Sequence, residues 1–129
     1  MVKRKTRKKK AKRTVKEGIA RIKAKWNNTF ITLTDLDGAV LVSYTPAKVG
    51  FKNTKKRTAY AVTQAAIAAA EQAITKFGLD NVKVLVSGPG IGRNAAIKGL
   101  ASAGLKIKMI VDVSHPQFGG IRRKRPPRK

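Results

Sequence analysis

A chain of 129 residues is about one domain, long enough to bury a core without disulfides or a structural metal. It carries 30 Lys and Arg against 6 Asp and Glu, a net charge of +24, and no cysteine, which excludes disulfides, thiolate zinc sites and cysteine nucleophiles. A single histidine, His115, leaves no cluster for a metal, and the longest uncharged run, Thr58 to Ala70, is too short to cross a bilayer.

The charge is concentrated at the ends. Residues 1–16 hold 10 basic residues and no acid, residues 122–129 hold 6 and no acid, and the remaining 14 basic and 6 acidic residues leave the body at +8. Like charges this dense do not collapse on a core. The charge distribution therefore predicts a disordered basic extension over 1–16, a single folded domain over 17–114 and a basic tail over 115–129. Basic runs at both ends favour a polyanion, which makes Lys3, Arg4, Lys8, Lys9, Lys10 and Arg13 candidate phosphate contacts, with Arg122, Arg123, Lys124 and Arg125 at the other end. No apolar h-region, lipidation signal or amphipathic helix accompanies the charges, so no membrane partner is expected.

Gly18 to Ala24 alternates apolar Ala20 and Ile22 with Arg21 and Lys23, the period of a half-buried strand with one basic face. Lys25-Trp26-Asn27-Asn28 reads as a turn, since asparagine tolerates positive φ and bonds its own backbone. Thr29 to Thr34 is β-branched and aromatic, Asp35 to Gly38 is a hairpin turn, and Ala39 to Tyr44 completes an antiparallel three-strand meander. The Asp35-x-Asp37-Gly38 start of a calcium loop lacks the later ligands of such a loop. Thr45 to Arg57 has no period and sets five basic residues around Phe51, the mix of cations and ring that single-stranded or looped RNA requires.

A helix is predicted from about Thr58 to Phe77, closed by Gly78, with Val62, Ala66, Ala69, Ala73 and Phe77 on one stripe. So much alanine brings the helix backbone close to the sheet. Val82 to Val86 reads as a strand buried on both faces. It ends in Ser87-Gly88-Pro89-Gly90-Ile91-Gly92-Arg93, and a second helix follows over Asn94 to Ala103, then a fifth strand over Leu105 to Val113. A glycine turn opening a helix leaves free N–H groups at the positive end of the macrodipole, so Gly90, Gly92 and Arg93 are candidates for holding a phosphate. The same glycines also suit a turn packed tightly on the sheet. A Walker loop would need Gly-Lys-Ser or Gly-Lys-Thr where this chain has Gly92-Arg93-Asn94. A dinucleotide fingerprint fits Gly88-x-Gly90 and an acid about 20 residues on, Asp112, but Gly92 falls one place short of its spacing. The fold class is α/β, a mixed five-stranded sheet of an antiparallel meander plus two parallel strands, with two helices packed on it. Three functions follow: an RNA-binding structural protein, a general DNA- or RNA-compacting basic protein, and a small nucleotide enzyme or nuclease using Asp35, Asp37, Glu71, Asp80 or Asp112 as metal ligands. The third needs carboxylates converging within about 4 Å on two metals, and here they are dispersed along the chain.

Asn27-Asn28-Thr29, Thr34-Asp35-x-x-Gly38, Gly50-Phe51-Lys52, the alanine helix after Thr58, Gly88-Pro89-Gly90-x-Gly92-Arg93 and Asp112-Val113-Ser114 stand in the order and spacing of one family. Over about Gly18 to Ser114 the chain resembles the S-eleven family, the eleventh small-subunit ribosomal protein, in its bacterial or organellar branch. The resemblance implies a ribonuclease-H-like, S-eleven-type topology and a structural role without catalysis, cofactor, metal or small-molecule substrate. It implies binding to small-subunit ribosomal RNA in the platform near the messenger RNA exit cleft, beside the seventh and eighteenth small-subunit proteins, in the cytoplasm or an organelle matrix or stroma. Residues matching the family's RNA contacts are Asn27, Asn28, Lys52, Lys55, Lys56, Arg57, Gly90, Gly92 and Arg93. The segment His115 to Gly120 departs from the family pattern, as does Ser43 to Ala47, and no specific contact is carried over for His115 to Gly120.

Overall fold

The computed structural model describes residues 14–116 and 118–128. Strands β1 (Glu17–Ala24), β2 (Thr29–Asp35) and β3 (Val40–Tyr44) form the meander. Helix α1 (Ala59–Phe77), strand β4 (Asn81–Ser87), helix α2 (Gly92–Ser102) and strand β5 (Lys106–Asp112) follow. The sheet order is β3-β2-β1-β4-β5, with β1, β4 and β5 parallel to one another and β2 antiparallel to both of its neighbours. The expected α/β class and mixed five-stranded sheet are therefore what the chain adopts.

Each strand forms for a local reason. In β1 the alternation buries Ala20, Ile22 and Ala24 and leaves Arg21 and Lys23 exposed. The β1–β2 turn is closed by the Lys25 N–H donating to the Asn28 carbonyl at 2.8 Å, while the Asn28 side-chain oxygen accepts from the Thr29 N–H at 2.9 Å. Neither asparagine uses positive φ; the one non-glycine residue with positive φ among the described residues is Asn53, at 57°. Gly38 takes φ 93° in the next hairpin, whose Asp35 carboxylate accepts from the Ala39 N–H at 2.8 Å.

Both helices pack on one face of the sheet. Helix α1 lies on β2 and β3, α2 lies on β1 and β4, and the two helices pack on each other. A Cβ at Gly99 would stand 2.6 Å from the Ala66 Cβ, so small residues on both helices bring their backbones together. Alanine thus serves the α1–α2 contact as well as the sheet. Ile22, Ile31, Leu33, Val62, Val84, Val86 and Leu100 fill the core between.

The other face is open, which corrects one expectation. Strand β4 buries Val82, Val84 and Val86 toward the helices, whereas Lys83 is exposed and Leu85 half-buried on the far side. It is buried on one face, because no described element covers the second. The irregular stretch Thr45 to Arg57 also carries more order than its composition suggests, in two 3-10 turns over Pro46–Val49 and Asn53–Arg57. No described helix is long and apolar enough to cross a membrane.

Candidate RNA interface

The parallel pairing of β1 with β4 puts the turn after β1 and the glycine turn after β4 at the same end of the sheet. The basic 3-10 turn before α1 completes the group. It is anchored through Thr58, whose hydroxyl donates to the Lys55 carbonyl at 2.7 Å and accepts from the Ala61 N–H at 3.3 Å, capping α1. Asn53 can start this turn because asparagine tolerates the left-handed region. No acidic side chain stands in the first turn of α1. Lys55, Lys56 and Arg57 therefore crowd the positive end of a helix, an arrangement that repels itself until an anion is present.

Across from this turn lies Asn27. Asn27, Asn53, Thr54, Lys56 and Arg57 line one groove of about 280 Å³. Three of the expected contacts, Asn27, Lys56 and Arg57, are thus brought together, with Lys52 and Lys55 exposed on the same basic segment. Asn28 lines an adjoining cleft instead, with Lys25, Trp26, Asn27, Phe30 and Pro89. Arg122, Arg123, Lys124 and Arg125 are exposed and outside any regular element, and Lys3, Arg4, Lys8, Lys9, Lys10 and Arg13 lie outside the described residues.

The glycine turn is filled by its own protein. A Cβ at Gly88 would overlap the Ala24 carbonyl oxygen, one at Gly90 the Lys25 carbonyl oxygen, and one at Gly92 the Thr29 hydroxyl. Gly90 also donates its N–H to the Ala24 carbonyl at 3.1 Å, and both Gly90 and Gly92 are buried. The glycines therefore allow the turn to lie against the end of β1 and the start of β2. Arg93 donates to the Gly88 carbonyl at 3.3 Å and to the Asp112 carboxylate at 2.7 Å. That hydrogen bond, followed by those from the Ser114 hydroxyl and N–H, holds the Asp112 carboxyl well below the usual carboxylate range. Asp112 is the acid a dinucleotide fingerprint would offer to a ribose, and here Arg93 and Ser114 occupy it.

The aromatic rings are also redistributed. Phe51 is half-buried and meets Tyr60 edge-on, with centroids 5.8 Å apart, so that ring is engaged within the chain. Trp26 is 67% exposed beside Phe30 and Pro89. The sequence offered one signal for it, a tryptophan set next to two asparagines in a turn too short to bury it. Among the described residues no group of three or more His, Cys, Asp and Glu side chains could hold a metal ion.

Fold and surface together define a small, basic α/β protein with one cluster of cations, Lys25, Lys55, Lys56 and Arg57, where two turns meet a helix start. Comparison with known proteins gives its kinship. The family model described as ribosomal protein S11 matches residues 18–128. Two proteins named small ribosomal subunit protein uS11, from Thermosipho africanus and Thermosipho melanesiensis, are 46% and 45% identical to this chain over 118 residues. Each alignment covers 92% of this chain and 91% of the relative. The chain belongs to the S11 family of small-subunit ribosomal proteins.

Proposed function

We propose that this protein is a structural constituent of the small ribosomal subunit that binds the subunit's RNA in the platform, near the messenger RNA exit cleft, and has no catalytic role. The single observation that carries the RNA contact is the groove in which Asn27 meets Asn53, Thr54, Lys56 and Arg57 beside the start of α1. Cations and a helix N-terminus there address phosphates, and the amides of Asn27 and Asn53 offer donors and acceptors to base edges. Lys52 and Lys55 extend the cationic strip along the same turn. Gly90 and Gly92 shape the wall of the site, while Arg93 has its remaining N–H groups for a phosphate, its side chain being 34% exposed. The basic ends, including Lys3, Arg4 and Arg122 to Arg125, thread along further RNA.

The open sheet face supports protein neighbours, since Ile19 and Leu85 stand half-buried there beside Arg21 and Lys83. The seventh and eighteenth small-subunit proteins are the neighbours this reading assigns, and the cytoplasmic ribosome is its place of work. The test is competition. Tagged protein should sediment with small subunits and prefer their folded RNA to duplex DNA at moderate salt, whereas equal affinity for the two would reduce it to a general polyanion binder.

A further inference from the structure

We propose that Trp26, Phe30 and Pro89 form a stacking site for one unpaired RNA base, an inference that rests on the RNA-binding function proposed above. The sheet builds the site. Because β1 and β4 are parallel neighbours, Trp26 after β1 and Pro89 after β4 emerge together, and Phe30 at the start of β2 closes the third side of a cleft of about 370 Å³. Its large rings are left in solvent, Trp26 at 67% and Phe30 at 37% exposed, where an apolar body of that size gains most from being covered.

The surroundings select the occupant. Lys25 places its ammonium 5.7 Å from the Phe30 ring centroid, a cation at the margin of the cleft. Asn27 lines both this cleft and the cationic groove with Lys56 and Arg57, so one strand can lay phosphates in the groove and turn a base into the cleft. The Asn28 oxygen is taken by the Thr29 N–H, which leaves that side chain its amide donors for a base carbonyl. A second copy of the chain would bring another +24 to a cationic rim and is disfavoured by charge. Paired RNA is excluded for a different reason: bases stacked and paired within a helix are already covered by neighbours, so a base can enter only from a loop, a bulge or an unpaired end.

Trp26 is the chain's only tryptophan, so its fluorescence reports the cleft alone. Full-length protein is titrated with a hairpin RNA bearing an unpaired loop and with a blunt RNA duplex of the same length. The expected result is saturable quenching by the hairpin and binding of the duplex without quenching. Trp26→Ala should then weaken hairpin binding roughly 5- to 150-fold, the range for one stacked base, leave duplex binding unchanged, and melt at the parent temperature. Trp26→Phe should restore most of the loss. Unchanged hairpin affinity in Trp26→Ala, or equal quenching by both RNAs, overturns the stacking site while RNA binding stands. Binding of neither RNA by the parent overturns both readings, and an RNA-free dimer that shields Trp26 gives the cleft to a second copy instead.

Discussion

Arg93 donates to the Gly88 carbonyl and to the Asp112 carboxylate, so its charge is matched within the chain before any ligand arrives. If Arg93 also meets a phosphate, Arg93→Ala weakens RNA binding and slightly lowers the melting temperature, because the strap across the turn is lost with the contact. A lowered melting temperature with unchanged affinity assigns Arg93 to the turn alone. Asp112 gives the matching pH prediction. A carboxyl depressed below its ordinary 3.8 contributes stability that is present above that value and lost as the pH falls through the folded one. Acid unfolding should therefore include a limb below about pH 4 that Asp112→Asn removes, a small one because the pair is exposed and screened. Equal acid limbs in parent and variant, followed by fluorescence or circular dichroism, would contradict the Arg93–Asp112 assignment. Sequence showed the presence of these two residues but not their pairing, since a separation of 19 positions along the chain does not fix which end of the sheet each one reaches.

At the scale of elements, the basic turn and α1 act as one piece through the two hydrogen bonds of Thr58. Replacing Lys52, Lys55, Lys56 and Arg57 by glutamine should flatten the salt dependence of RNA binding, each lost phosphate contact removing about 0.7 to 0.9 from the log–log slope. Filter binding across a salt series measures it, and an unchanged slope would assign the turn to solvent. The strands were legible because Thr29 to Thr34 and Val82 to Val86 are rich in β-branched residues and Gly78 and Gly104 end helices in the left-handed region. Strand β4 misled because a run of Val82, Val84, Leu85 and Val86 resembles a doubly covered strand, and only the positions of α1 and α2 show that one side stays open. The second 3-10 turn was hidden because the positive φ of Asn53 leaves no periodic mark in the sequence.

Across the whole molecule, the cations of the described body are not evenly spread. Lys25, Lys55, Lys56, Arg57 and Arg93 stand at the end of the sheet where the turn after β1, the turn after β4 and the start of α1 converge, an adjacency set by the β2-β1-β4 order that strand prediction alone does not provide. Asn27 with Lys56 and Arg57 was a list of separate residues in sequence, and the fold makes it a groove. The neighbouring aromatic site was illegible because exposure decides it: Trp26 and Phe51 look alike in a basic sequence, yet one stands free and the other packs on Tyr60. Lysine acetylation, read by mass spectrometry on free protein and on its complex with purified small-subunit ribosomal RNA, tests the groove most directly. Lys25, Lys52, Lys55 and Lys56 should lose reactivity in the complex, while exposed Lys76, near the far end of α1 and about 25 to 30 Å away, keeps it. Undiminished reactivity of the first four in an RNA complex that has demonstrably formed would contradict the account.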